Sequence, residues 1–202
     1  VTRFSSNSHY FALSALPRFG LDPSRDVIFR QTGGDVAGLA ALTNGQVDAM
    51  AILTYGPSAI AQGFHYVIFG PDMRIPYAAA SFTTRRSVIA RRPQVIGAYM
   101  RTLAEAAKIF HTDREFTLKV LATFLRIDDR KSLQEAYESE IPAVEQRLDL
   151  RAEAIQAVLE EIAPTDARAK SVKPQQLIDR RYLDEMDKGG FYESLWGNKI
   201  KG

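Results

Sequence analysis

A cluster of small polar residues near the start of the chain has side chains suited to binding an anion. It consists of Ser5, Ser6, Asn7 and Ser8, and His9 follows directly. Hydroxyl and amide groups at the start of a helix lie beside backbone N–H groups that have no partner within that helix. Neutral donors of this kind bind an oxyanion and leave it exchangeable. A single helix cap needs only one such residue, so the cluster favours a ligand site, with a cap formed by Ser6, Asn7 or Ser8 as the simpler alternative.

Two further turns carry residues that suit the same site. Thr32 and Gly33 lie in "QTGGD", between a predicted strand and a predicted helix that Asp35 is expected to cap. Tyr55 lies in "LTYGP", a third turn of this kind, where its ring would act as a lid or a stacking surface. His9 either orients the bound anion or acts as a base, or it is an ordinary exposed or packed side chain. The predicted ligand-binding residues are therefore Ser5, Ser6, Asn7, Ser8, His9, Thr32, Gly33 and Tyr55.

The segments around these turns predict a parallel β-sheet crossed by helices. Short apolar runs bounded by Gly, Pro, Asn or Asp are typical of strands buried on both faces. They lie at 1–4, 26–31, 47–53 and 66–70. Helical patterns lie between them and are expected to end at Gly20, Gly45 and Gly63. This alternation indicates βαβ crossovers, an α/β fold, and convergence of the three turns at one edge of the sheet.

The rest of the chain is predicted to be mainly helical after one more strand at 77–84. Pro93 suits the first turn of a helix, and apolar residues then recur at helical spacing from Val95 to Phe110. Three further helical stretches each follow an acidic residue that is expected to cap them. These residues are Asp113, Asp128 or Asp129, and Asp149. We therefore predict two domains: an α/β lobe at 1–72 that carries the ligand-binding turns, and a return strand with helices at 73–202.

The composition argues against several classes of function. The 26 basic and 24 acidic residues give a formal net charge of +2, which gives little support to nucleic-acid binding. The chain has no cysteine, and its histidines, His9, His65 and His111, lie in different predicted elements, so no metal site is expected. No apolar run is long enough to span a bilayer. The sequence also lacks the G-x-S-x-G, G-x-G-x-x-G and phosphate-loop motifs, so neither catalytic residues nor a cofactor are predicted.

Three segments together resemble a family of binding proteins. They are "VTRFSSNSHYFALSALPRFGLDP", "VIFRQTGGDVAGLAALTNGQVDAMAI" and "RRPQVIGAYMRTLAEAAKIF". In this order they are similar to the periplasmic substrate-binding proteins of ABC importers for nitrate, sulfonates and taurine, a group that includes binders of thiamine-precursor pyrimidines. The most specific piece resembles the "AL-x-x-G-x-VDA" pattern of the family and comprises Leu42, Gly45, Gln46, Val47, Asp48 and Ala49. One departure is Phe4, where the family often has glycine, and it leaves aromatic carboxylates and pyrimidines open as ligands.

The resemblance implies two lobes with a ligand between them, and a further part of the first lobe ahead of Val1. It implies a non-catalytic component of an import system that presents a small anionic or aromatic molecule to an ABC permease in the membrane. The expected location is the periplasm, after removal of a signal peptide, or the cell surface with a lipid anchor. One alternative is the ligand-sensing domain of a transcription regulator, which a DNA-binding module would precede. Another is a pyrimidine-synthesis enzyme, which would need a nucleophile or clustered histidines and cysteines.

Overall fold

The computed structural model describes residues 1–51, 56–78, 80–126 and 128–197. Helices account for 61% of the structure, and no β-strand occurs among these residues. The chain divides into two compact units, unit 1 at Val1–Pro76 and unit 2 at Tyr77–Gly202. The predicted α/β fold with a parallel sheet is therefore wrong.

Unit 1 contains short helices joined by irregular segments. They are α1 (Asn7–Ala15), which continues into a 3₁₀ helix at Leu16–Phe19, α2 (Asp35–Thr43), α3 (Gly56–Ala61) and α4 (Gly70–Met73). Gly20, Gly45 and Gly63 follow three of these helical segments with φ angles of 77°, 65° and 91°. Glycine adopts this left-handed conformation without a steric penalty, which ends a helix cleanly. The three predicted helix ends are confirmed.

The predicted strands at 1–4, 26–31, 47–53, 66–70 and 77–84 are not strands where the structure describes them. A strand needs a neighbour that pairs with its backbone N–H and C=O groups. Among the described residues of unit 1, such pairing is confined to residues 1–2 with residues 30–33. The apolar side chains are not buried on both faces either, since Ile28 is 90% exposed and Val67 is 79% exposed. The apolar runs have the residue composition of strands. Their composition does not show whether a neighbouring strand is present to pair with them and bury them.

Few side chains of unit 1 are buried. Ala15, Ala59 and Ser8 are buried in the described part of the unit, and so is Gly38 within α2. A Cβ atom at Gly38 would overlap Met50 Cε, so the absence of a side chain allows Met50 to pack against α2. Unit 1 is thus organised more by turns and hydrogen bonds than by an apolar core.

Unit 2 is built from helices, and they include the helix predicted from Pro93 and those predicted after Asp113 and Asp129. The helices of the unit are α5 (Arg86–Arg91), α6 (Pro93–Thr112), α7 (Arg114–Leu125), α8 (Arg130–Glu140), α9 (Ala152–Ile162), α10 (Arg181–Lys188) and α11 (Phe191–Trp196), with 3₁₀ helices at Ile141–Ala143, Ala167–Ser171 and Pro174–Gln176. Asp113 caps α7 by accepting from Phe116 N at 3.0 Å, and Asp129 caps α8 by accepting from Ser132 N at 2.7 Å. These two predicted caps are confirmed.

The predicted cap at Asp149 is wrong. The residue that precedes α9 as its N-cap is Arg151, and it makes no side-chain capping hydrogen bond. The carboxylate of Asp149 instead forms an ion pair with Arg180. A partner 31 positions along the chain therefore replaces the local backbone contact that the sequence suggested.

Two apolar clusters stabilise unit 2. One joins α6, α10 and α11 through Ala104, Ala107, Leu183, Met186, Tyr192 and Trp196, and the other joins α7 and α8 through Leu118, Leu133 and Tyr137. Each cluster holds a tyrosine whose hydroxyl donates to a backbone carbonyl, from Tyr192 to Arg147 O at 2.8 Å and from Tyr137 to Phe110 O at 2.9 Å. Both phenols are therefore buried without losing a hydrogen-bond partner.

Candidate functional site

The predicted anion-binding turn is a tight turn at the start of α1. Ser5 has a φ of 57°, in the left-handed region that non-glycine residues seldom adopt. The Ser6 hydroxyl closes the turn by donating to Arg3 O at 2.6 Å. Ser6 is also the N-cap of α1, because its hydroxyl accepts from His9 N at 3.5 Å. The simpler alternative, a helix cap, is therefore confirmed for Ser6.

Three hydroxyl groups contact one another beneath this turn. Thr2 Oγ1 lies 3.1 Å from Ser6 Oγ and 3.0 Å from Ser8 Oγ, and the two serine oxygens are 3.0 Å apart. Ser8 is 0% exposed, and its hydroxyl also accepts from Thr2 N at 3.0 Å. The hydroxyls of Ser6 and Ser8 are thus engaged inside unit 1. The Ser5 hydroxyl and the Asn7 amide have no hydrogen-bond partner among the described residues.

His9 is held by a hydrogen bond and two aromatic contacts. Its Nδ1 accepts from Ser5 N at 3.1 Å, so the neutral ring carries its proton on Nε2. The ring meets Phe4 at a centroid distance of 5.3 Å and Phe29 at 5.0 Å, in both cases edge to face. The Nε2–H group is left as a donor next to the half-exposed ring of Phe4.

The second predicted turn, at Thr32 and Gly33, lies directly beside the first. Thr32 N donates to Val1 O at 3.0 Å, and Gly33 N donates to Thr2 O at 2.9 Å. Gly33 has a φ of 88°, and no atom lies within 4 Å of the position that a Cβ would take. The backbone at Gly33 is therefore open to approach. Tyr55, of the third predicted turn, lies outside the described residues.

Two residues that sequence reasoning did not select also belong to this site. Gln31 Oε1 accepts from Phe4 N at 2.8 Å and so joins the two turns. Arg3 is exposed, forms no ion pair with any residue in the described ranges, and adds a positive charge two residues before Ser5 in the chain. In the sequence, Arg3 could have been selected by its position two residues before Ser5. The role of Gln31 depends on a contact across 27 positions, which the local pattern does not contain.

Unit 2 has an open cleft of about 520 Å³ at the start of α9. It lies between the segments 149–153 and 175–180. The ion pair of Asp149 with Arg180 lies in its wall, and Arg151 and Glu153 add one charge of each sign. The charges of the cleft are therefore balanced and do not select a ligand of one sign.

Other kinds of site are not seen in the described part of the chain. Its Asp, Glu and His side chains form no group of three or more that is suited to a metal ion. None of its helices is both long and apolar enough to cross a membrane. Comparison of the chain with protein-family models, curated proteins and solved structures gives no significant match, so the resemblance to the periplasmic binding proteins stays a prediction from the sequence.

Proposed function

We propose that the chain is the non-catalytic solute-binding component of an import system, and that the turn at Ser5–His9 binds a small anionic or aromatic organic molecule. The observation that carries the proposal is the position of this turn beside the turn at Thr32 and Gly33, joined by the hydrogen bond from Gly33 N to Thr2 O at 2.9 Å. The proposal depends on these two turns and on the sequence resemblance, and it does not require a parallel sheet.

The donors that remain at the surface suit an oxyanion. The Ser5 hydroxyl and the Asn7 amide have no other partner in the described structure, and the neutral His9 ring offers Nε2–H. Arg3 adds a positive charge that attracts an anion, and the absence of a side chain at Gly33 lets the ligand approach the backbone. One charge with several neutral donors is expected to bind an anion reversibly, as import requires.

Phe4 decides between two ligand classes. Its ring is half exposed and contacts His9, so it offers a surface on which a planar ring can stack. An aromatic carboxylate or a pyrimidine would use this surface, whereas nitrate or an alkyl sulfonate would not. For either ligand class, the resemblance implies that the protein delivers the ligand to an ABC permease from the periplasm or the cell surface.

Isothermal titration calorimetry on the whole chain tests the proposal. The panel is nitrate, taurine, benzoate and a pyrimidine carboxylate. We expect one member to bind, and Ser5→Ala combined with Asn7→Ala to weaken that binding by roughly 5- to 150-fold, since each of the two lost hydrogen bonds costs roughly 0.5–1.5 kcal/mol. Ser87→Ala, which removes an exposed hydroxyl of unit 2, is the matched control and should leave the affinity unchanged.

Phe4→Ala then separates the two classes. It should weaken an aromatic ligand and leave nitrate or taurine unaffected, because only the former stacks on the ring. Absence of binding across the whole panel contradicts the proposal. Equal affinities of the wild type and the double variant at Ser5 and Asn7 would contradict the placement of the site.

A further inference from the structure

Helix α6 carries an apolar stripe that unit 2 leaves exposed. Val95 is 58% exposed, Tyr99 is 44% exposed and Ile109 is 41% exposed. Thr102 and Ala106, which lie between them, are exposed as well. They are spaced alternately four and three residues apart, an average of 3.5. This is the spacing by which one helix packs along another in a coiled coil.

The stripe is separate from the face that α6 turns to its own unit. The buried face comprises Ile96, Ala104 and Ala107, with Met100 packed beside the core cluster. These residues lie roughly 100° to 180° round the helix from the centre of the stripe, because successive residues are rotated by about 100°. The helix is therefore apolar on two faces. The contacts within unit 2 cover the buried face, and on the stripe they include the ring of Phe82, whose centroid lies 4.4 Å from that of Tyr99.

We infer that the exposed stripe is the contact surface of a homodimer, in which α6 packs antiparallel against α6 of a second copy. With a twofold axis at Thr102, Val95 faces Ile109 of the second copy, since both lie seven residues from the axis. Tyr99 lies three residues from the axis and Ala106 four, so Tyr99 lies within about 1.5 Å, along the helix axis, of Ala106 of the second copy, and a large side chain meets a small one. The same patch is thus complementary to itself, as a twofold interface requires.

The charges beside the stripe favour the antiparallel arrangement. Arg101 and Glu105 are both exposed on the flank of the stripe, and neither forms an ion pair within the described structure. In the antiparallel pair, Arg101 lies within about 3 Å, along the helix axis, of Glu105 of the second copy, and symmetry produces this contact twice. A parallel pair in register would place this flank of the two copies on opposite sides of the interface, so Arg101 and Glu105 would gain no partner there.

Sedimentation equilibrium of the whole chain tests the dimer. We expect a concentration-dependent dimer that Ala106→Glu converts to a monomer, with an unchanged helical circular dichroism spectrum because Ala106 is exposed. Arg101→Glu alone should raise the dissociation constant at least about tenfold, and adding Glu105→Arg should restore it. Ile28→Glu removes the most exposed large apolar side chain in the described part of unit 1 and should leave the dissociation constant unchanged.

Cysteine crosslinking tests the orientation, because the chain has no cysteine of its own. Under mild oxidation, Thr102→Cys should form a disulfide with itself across the axis. Val95→Cys alone should not, since its two copies would be about 21 Å apart, but it should crosslink to Ile109→Cys when the two variants are mixed. A monomer at every concentration, loss of the dimer in Ile28→Glu instead of Ala106→Glu, or self-crosslinking of Val95→Cys would each overturn the inference.

Discussion

The phenol of Tyr192 should make the stability of unit 2 fall at alkaline pH. Its side chain is 3% exposed in the core of α6, α10 and α11, and burial raises its pKa from 10.0 to about 12. Between pH 10 and 12 the Tyr192 phenol has lost its proton in the unfolded chain and keeps it in the folded chain. The free energy of unfolding therefore decreases as the pH rises.

The size of this loss follows from the two pKa values. A difference of two units corresponds to about 2.7 kcal/mol at 25 °C, of which about 1.4 kcal/mol should be lost by pH 11. Tyr192→Phe removes the titrating group and also the hydrogen bond to Arg147 O at 2.8 Å. The variant should therefore be less stable than the wild type by roughly 1 kcal/mol at pH 8, and the difference should vanish or reverse by pH 11.

Urea denaturation followed by tryptophan fluorescence measures this effect. Trp196 is the only tryptophan of the chain and lies in the same cluster as Tyr192, so the signal reports on unit 2. All other ionisable residues are the same in both proteins and cancel in the comparison, and Tyr182→Phe serves as a control for the substitution itself. Unfolding free energies that change in parallel with pH in the wild type and in Tyr192→Phe would refute the reasoning.

Three further predictions concern single contacts. Asp113→Ala should destabilise unit 2 by about 1 kcal/mol in urea denaturation, because Phe116 N loses its capping acceptor. Ser8→Ala should speed amide exchange in α1, measured by mass spectrometry, because Thr2 N is left without an acceptor at a cost of about 1–3 kcal/mol. Gly38→Leu should speed exchange in α2 by forcing Met50 away, a cost of about 1–3 kcal/mol, and Met50→Ala should relieve it.

The helices of unit 2 were predictable because their signals are local. Pro93 begins α6, and Asp113 and Asp129 cap α7 and α8 through residues three positions further along. The sheet was not predictable in this way, since a strand is defined by its neighbour. Ile28 lies in a run with strand composition, but that run is paired only near its end, with residues 1–2.

The candidate site was predicted in part. The convergence of the turns at Ser5 and Thr32 was expected from a parallel sheet, but the structure achieves it through the pairing of residues 1–2 with residues 30–33. The type of residue at Ser6 and Ser8 did not show that their hydroxyls bond to Thr2. Contacts of this kind depend on the path of the backbone. From the sequence alone, a small polar residue whose hydroxyl bonds inside the unit cannot be distinguished from one whose hydroxyl is free for a ligand.

The scarcity of buried apolar side chains in unit 1 has a calorimetric consequence. The heat capacity of unfolding rises mainly with the apolar surface that becomes hydrated, and the buried residues described in this unit are Ser8, Ala15, Gly38 and Ala59. Melting of unit 1 alone should therefore add only a small step to the heat-capacity baseline and a broad, weak peak. The sharp endotherm of the chain should belong to unit 2.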